Sequence, residues 1–333
     1  MRVKVFMNSA GHNSEYEVLR RFGVGIQLML DKDKGGFANF DRTIRKGLDN
    51  VVDFDYSLDY SNCDVAVIFG SWKPRKSDHH IIRNDVVSKA PIFVCVETPL
   101  LTRKVFQPNQ YYRIGVNGFM NHAAYWNADN QDSSRFKQMG LEWNGWAEDL
   151  DEREEILLGL QLAGDASMRG NSVVEWCEDS IRRMRKYTDA PIRIRTHPGI
   201  SDQGWENYSG LFRNIAFGEY GDIRFSNGRT RPWEKDIANA RVVVAYSSGL
   251  SIDSVLAGVP VVACDPGNFA WDISSRFVED VVNPKLEKPK TVQQWFNNLA
   301  YCQWSEEEMQ NGTAWQHLLP AIAAAQEKDD DIS

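Results

Sequence analysis

The chain has 333 residues, 42% of them hydrophobic and 25% charged, an ordinary globular composition long enough for two cores of about 150 residues each. A net charge of −8 excludes a protein that coats nucleic acid without selectivity. The excess is uneven, with 19 basic against 18 acidic residues over positions 1–150 and 19 against 28 over 151–333, so a polyanionic partner is expected on the first half.

The opening "MRVKVFMNSAGHNSEYEV" alternates as a first strand does and lacks the apolar centre of a signal peptide. No apolar run reaches the roughly 20 residues of a membrane helix, and a cytoplasmic protein without a membrane partner is the expectation. Short apolar runs at 3–10, 63–71 and 90–98 read as buried strands of a parallel sheet, each ending in small or polar residues. Loops at the carboxyl ends of such strands gather on one rim, which predicts that residues 8–13, 70–76 and 97–103 come together. Two Asp-x-Asp pairs, at 31–33 and 53–55, follow no evident strand into a rim loop and read as solvated surface. Five widely spaced cysteines, with no C-x-x-C pair, read as buried thiols rather than disulfides or a zinc site.

The loop "GSWKPRKSDHHIIR" (70–83) sets Trp72, Lys73, Arg75, Lys76, His79, His80 and Arg83 at the rim of a near-neutral half. Phosphate neutralisation plus stacking is what DNA or another polyanion requires, against the alternative of a solvated basic loop.

Residues 138–155 are polar and acidic with no apolar strand, and the domain boundary is expected there, near 150. A second α/β pattern follows. A helix over 172–187 places Val173, Val174, Trp176, Cys177, Ile181 and Met184 broadly on one face, as core. Strands are expected at 191–198, 241–248 and 259–265, and helices at 291–305 and 313–327 before an acidic end.

Two strand exits carry chemistry. Ser247-Ser248-Gly249 lies between an apolar strand and a short apolar helix, where backbone N–H groups favour an anion and Gly249 lets a ligand approach. The alternative is that Ser247 or Ser248 only caps the helix. His197-Pro198 ends the run "PIRIRTHP"; proline stops the strand and holds His197 extended, so its ring could neutralise a leaving phosphate or serve merely in a turn. Arg193 and Arg195 share a face of that strand, Arg195 being nearer the rim.

"RTHPG", followed some fifty residues later by "YSSGLSIDSVLAGVPVVACD", resembles the His-Pro and Ser-Ser motifs of GT-B glycosyltransferases, notably the capsule-polysaccharide (Kdo) and sialyltransferase-like groups. "LAGDASMRG" is similar to an Asp-x-Ser stretch of the capsule-synthesis branch, and "DPGNFAWDIS" is loosely similar to that branch's glycine and Trp region. The resemblance spans roughly residues 158–275. It implies an α/β GT-B fold, two Rossmann-like domains facing across a cleft: an acceptor domain at 1–150, a donor domain at 151–305, and a tail at 306–333 returning to the first domain. It implies a nucleotide-sugar co-substrate, UDP-linked by preference, with no metal. His197, Pro198, Arg195, Ser247, Ser248, Gly249, Asp165, Ser167 and Arg169 would bind the donor. Lys235 could reach it, although surface pairing explains Lys235 equally well.

In such enzymes a base in the first domain removes the acceptor proton if the sugar inverts. Glu97, leaving a hydrophobic strand, is the first candidate on the expectation of a raised pKa, against the alternative of a helix-cap or Arg103-paired carboxylate; His12 is the second, against an acceptor-binding or loop-closing role. In general character the chain also resembles phage-encoded glycosyltransferases that decorate hydroxymethylated pyrimidines. That implies DNA as acceptor first, reached by base flipping, and a capsular or lipopolysaccharide glycan second. The competing class is a UDP-sugar epimerase-like or non-catalytic nucleotide-sugar-binding protein.

Overall fold

The computed structural model describes residues 1–32, 51–73, 77–102, 110–124, 131–199, 214–215 and 220–330. The α/β class expected from the alternation holds throughout, in two compact units: Met1–Ala128 with Leu299–Ser333, and Asp129–Asn298.

Unit 1 carries strands β1 (Arg2–Phe6), β2 (Val51–Asp55), β3 (Val65–Phe69), β4 (Phe93–Glu97) and β5 (Tyr111–Val116), with β11 (Gln303–Ser305) supplied from the far end of the chain. The sheet order is β11-β5-β4-β3-β1-β2; β2, β1, β3 and β4 run parallel, while β5 and β11 pair antiparallel. β1 and β3, whose connections leave in opposite directions, form the switch point of this sheet. The helix Asn13–Lys32 buries Val18, Leu19, Phe22 and Ile26 at helical spacing over the sheet. Phe22 meets the fully buried Trp315 edge-on at 6.1 Å, which ties the helix Thr313–Asp330 into the same core. Gly25 lets the preceding helix Glu306–Gln310 approach: a Cβ there would stand 1.8 Å from the Met309 carbonyl oxygen.

Unit 2 carries β6 (Glu155–Gly159), β7 (Ile192–Arg195), β8 (Ile223–Ser226), β9 (Ala240–Ala245) and β10 (Val261–Ala263). Its order is β10-β9-β6-β7-β8, with every pair parallel. This is the doubly wound Rossmann order, and its switch point lies between β6 and β9. Ile156, Leu158, Ile192, Ile194, Val242 and Val244 form one buried face, covered by Val173, Cys177, Ile181 and Met184 of the helix Val173–Met184. Ser172 caps that helix by accepting from Glu175 N at 3.3 Å.

Three sequence expectations shift. The chain leaves unit 1 near 128 rather than 150, because the polar stretch before 150 hides aromatic anchors: Phe136 stacks on Phe296 at 5.1 Å, and the Trp143 and Trp146 indoles donate to the carbonyls of Val255 and Glu287 at 2.8 and 2.9 Å. The helix expected over 291–305 runs over Pro289–Ala300, and Gln303–Ser305 becomes strand β11 on β5, burying Trp304. Asp53 and Asp55 belong to a sheet strand after all; both carboxylates stand 3.6 Å from Lys4 Nζ. Of the cysteines, Cys63, Cys95, Cys177 and Cys302 are buried and Cys264 is partly buried, with burial pushing the Cys264 thiol up to about 12. Among the described residues no helix is long and apolar enough to cross a membrane.

Candidate functional site

The residues singled out in unit 2 meet on the carboxyl rim of β6, β7 and β9, at the switch point. β6 ends in Gly159, where a Cβ would stand 2.7 Å from Leu250 Cδ2; glycine therefore lets the helix Leu250–Leu256 approach the strand end. The chain then passes Gln161 and turns through Asp165, Ser167 and Arg169 in a short 3-10 turn. Asp165 Oδ1 accepts from Ser167 N at 2.9 Å and Ser167 Oγ at 2.8 Å. Gln161 Nε2 donates to Ser167 Oγ. On the β9 side, Ser247 N and Oγ lie 3.2 and 3.1 Å from Gln161 Oε1, and Ser247 Oγ lies 2.7 Å from the Ser167 carbonyl oxygen. Gln161, Ser167 and Ser247 are all buried.

Arg169 closes the turn with φ 51° and ψ 38°, a left-handed conformation that costs a side-chain-bearing residue about 1–2 kcal/mol. Its guanidinium is half-exposed and stands 3.5 Å from the Asp265 carboxylate, just beyond β10. Asp265 also faces Tyr246, whose phenol is pushed up to about 12, by burial first and by Asp265 second. Asn171 Nδ2 donates to that phenol at 2.7 Å.

His197 follows β7 and is partly exposed. Its Nδ1 accepts from Gly199 N at 3.0 Å, which assigns the ring proton of the neutral imidazole to Nε2. Pro198 is exposed. A Cβ on Gly199 would lie 3.6 Å from Leu162 Cδ1, so the His-Pro-Gly turn abuts the loop after β6. Thr196 fixes the strand exit, its Oγ1 accepting from Gly228 N at 3.0 Å.

Other donor-side candidates have different roles. Ser248 Oγ accepts from Leu250 N at 3.2 Å, one residue before the N-cap Gly249, whose φ of −63° needs no glycine. Arg195 turns from the rim into the sheet face: its Nη1 bonds the wholly buried Asp236 at 2.5 Å, and its Nη2 donates to the carbonyls of Gly228 and Arg231 at 3.3 and 2.9 Å. Lys235 points to solvent on the helix Trp233–Ile237, beside that Asp236.

In unit 1 the rim forms from β1, β3 and β4. Glu97 ends β4, and its Oε1 accepts from Ser71 N at 3.1 Å. Its Oε2 accepts from Thr98 N and Oγ1 at 2.8 and 3.0 Å and from Arg113 Nη2 at 3.4 Å. Burial pushes its pKa up, but Arg113, the Thr98 donors and Arg83 outweigh it and hold the carboxyl below its ordinary value. The expectation of a raised pKa is therefore corrected: Glu97 is a satisfied carboxylate and a weak base.

Arg83 is buried across the strand ends, donating to the carbonyls of Ser9 and Ser71 at 2.8 and 3.2 Å and standing 3.6 Å from Glu15 Oε2. Gly70, at φ +82°, leaves room for it; a Cβ would stand 2.6 Å from Arg83 Cζ. His79 is partly exposed, and its pKa is lowered by burial and by the Arg83 charge; His12 is exposed nearby. His80 is buried. Trp72 is partly exposed and lies perpendicular to Phe93 and Phe119 at 5.6 and 5.1 Å. Lys73 is partly exposed, and its carbonyl accepts from Asn84 Nδ2 at 2.8 Å. Arg75, Lys76 and Arg103 lie outside the described residues.

Sequence reasoning missed Gln161, Tyr246, Asp265 and the Arg83–Glu15 pair. The signal for Gln161 and Asp265 was present: each is a polar residue two positions past the end of an apolar strand, Gly159 and Ala263 respectively. Arg83 was read as part of the basic rim loop, but nothing in the sequence marked it as buried mid-helix with Glu15 as its partner.

No family model matches the chain, and no curated protein matches it. Among solved structures it is similar to two of Thermosulfurimonas dismutans KpsC. The β-Kdo 2,7 transferase has 10% identity and a TM-score of 0.46, covering 94% of this chain and 99% of that one. The β-Kdo 2,4 transferase has 13% identity and a TM-score of 0.39, with 89% and 98% covered. The S. aureus MnaA–UDP structure has 10% identity and a TM-score of 0.30, with 89% and 90% covered. At TM-scores this low the likenesses carry no weight in assigning an activity.

Proposed function

We propose that the chain is a nucleotide-sugar-dependent glycosyltransferase of the GT-B type, with the donor bound at the switch point of unit 2. The observation that supports this reading is the convergence there of Asp165, Ser167 and Arg169 after β6, His197 after β7, and Ser247 after β9. Open α/β sheets bind ligands outside the carboxyl ends of their strands at this place. Arg169 is a half-exposed cation in a strained conformation, and His197 is fixed as an Nε2–H donor when neutral; together they suit the charge that builds on a departing nucleotide phosphate. Asp165 supplies acceptors for sugar or ribose hydroxyls.

For the acceptor, a polyhydroxylated glycan is favoured over hydroxymethylated DNA. What supports this preference is that Arg83 and His80 of the basic loop are buried and that Trp72 packs against Phe93 and Phe119, so the described part of the loop offers a polyanion only Lys73 and His79. The test is a transfer assay with purified protein and UDP- and CMP-sugars. The acceptors are capsule-type oligosaccharides and duplex DNA with and without 5-hydroxymethyl pyrimidines, with products read by mass spectrometry. Transfer to glycan supports the reading. A sugar-sized gain on the modified base alone returns the acceptor to DNA, interconversion of a UDP-sugar without acceptor moves the chain to the epimerase class, and no turnover of any donor removes the enzyme reading.

A further inference from the structure

The Gln161 side chain bridges the two strand exits that flank the unit 2 switch point, and its orientation is fixed by its neighbours. Ser247 N can only donate, so the atom 3.2 Å from it must be the amide oxygen, which turns Nε2 toward Ser167 Oγ. Nε2 can only donate, so Ser167 Oγ accepts from it and passes its own proton to Asp165 Oδ1 at 2.8 Å. The Ser247 hydroxyl, with one proton, gives it to the nearer acceptor, the Ser167 carbonyl at 2.7 Å. One buried amide thus determines the direction of a chain running from β9 to the Asp165 carboxylate.

We propose that Gln161 is the positioning residue of this site: it turns the Ser167 hydroxyl proton onto Asp165 and holds Ser247 by its backbone N–H, where the Ser247 hydroxyl proton goes to the Ser167 carbonyl, so that both hydroxyls meet a ligand as acceptors beside Asp165. The ligand class that fits is a phosphate ester rich in free hydroxyls, with its hydroxyls toward Asp165, Ser167 and Ser247 and its phosphate charge left to Arg169 and His197. This rests on the donor-site reading above.

Gln161→Glu separates the roles. A carboxylate still accepts from Ser247 N but has no proton to give Ser167; the Ser167 hydroxyl then turns toward residue 161, and Asp165 keeps the Ser167 N–H but loses its hydroxyl donor. Gln161→Leu removes both links. Two measurements are made on the full chain: amide hydrogen exchange without ligand, and calorimetric affinity for UDP, CMP and their sugars, each beside the thermal midpoint. The expectation for Gln161→Glu is Ser247 amide protection and melting close to the unmodified protein, with nucleotide-sugar affinity reduced tenfold or more and affinity for the bare nucleotide reduced less. Gln161→Leu should lose Ser247 protection as well. Unchanged sugar-nucleotide affinity in Gln161→Glu overturns the proposal, as does full Ser247 protection in Gln161→Leu. If the unmodified protein binds no nucleotide or nucleotide-sugar, the donor-site reading fails and the ligand assignment with it, while the exchange measurement still decides whether Gln161 holds the two strand exits.

Discussion

The carboxyl rims of the two units treat charge in opposite ways. In unit 1 two cations of the described rim are turned inward and matched across strand ends, Arg83 to Glu15 at 3.6 Å and Arg113 to Glu97 at 3.4 Å, with the carbonyls of Ser9 and Ser71 also accepting from Arg83. In unit 2 the inward-facing charges lie on the sheet face, where Asp236 holds Arg195 and Arg231, each at 2.5 Å, and Glu155 holds Arg193 through two bonds of 2.6 Å. Its rim keeps a half-exposed Arg169 and a partly exposed His197. A strand-end position is thus no mark of function by itself. What separates a binding rim from a closed one is whether local partners have already consumed its charges.

The largest expected effect falls on the sheet face. Asp236 is fully buried, and its loss in Asp236→Ala leaves the Arg195 guanidinium inside unit 2 without its counter-ion. A cost of about 3–5 kcal/mol is expected, read as a lower urea midpoint. Replacing the pair together, with Asp236→Leu and Arg195→Met, should recover most of that loss, because no buried charge is then stranded. A single variant that melts like the unmodified protein would remove this network as the anchor of β7 and the His197 exit.

On the rim itself stability and binding should move in opposite directions. Arg169→Gly relieves a left-handed backbone and should stabilise by about 1 kcal/mol. The ion pair with Asp265 subtracts little from this, being half-exposed. The same change should lower kcat/KM for the nucleotide-sugar by about 10- to 100-fold, the range of one or two charge-assisted hydrogen bonds. Arg169→Ala keeps the strain and should lose the activity without the gain in melting temperature. Full activity in both variants would make the unit 2 rim as closed as that of unit 1.

How much of this was legible follows from which residues act locally. The parallel strands declared themselves through apolar runs such as "VAVIF" and "VVVA", and the rim position of His197 and Ser247 followed from the residues that end those runs. β5 and β11 were not legible: "YYRIGV" alternates weakly, and Gln303–Ser305 becomes a strand only because Tyr111–Arg113 waits opposite it from two hundred residues away. Side-chain partnership was hidden for the same reason. Arg195 pairs with a residue 41 positions on and Arg83 reaches the Ser9 carbonyl across 74, and no periodicity encodes either. Glu97 shows the consequence, since its place at a strand end was readable while Arg113, which holds its pKa down, was not recognisable as its partner.

That lowered pKa gives a pH-dependent prediction of moderate size. A carboxyl held below its unfolded value of about 4.3 contributes stability that is fully present above that value and is lost as pH falls through the folded pKa. Relative to Glu97→Gln, the unmodified protein should therefore be more stable near neutrality, by about 1.5 kcal/mol for a charge-assisted set. The difference should shrink below about pH 4.3. Thermal midpoints of the two proteins across that range provide the test. A difference that instead grows on acidification would mean that Glu97 binds its proton more tightly when folded, and would reopen its candidacy as a base.

The smallest expected effect is at Lys235, where the contrast between inward and outward charge can be read within one short helix. Asp236 faces the sheet and is wholly buried, while Lys235 beside it is exposed on the helix Trp233–Ile237. A solvated lysine of this kind contributes within about 0.5 kcal/mol, so Lys235→Ala should leave the urea midpoint unchanged within error. If the binding surface is limited to the exits of β6, β7, β9 and β10, nucleotide-sugar affinity should also stay the same. An affinity loss of threefold or more with no change in melting would extend the anion-facing surface from Arg169 and His197 past β8 to this helix. The donor would then span more of the sheet edge than the switch point alone.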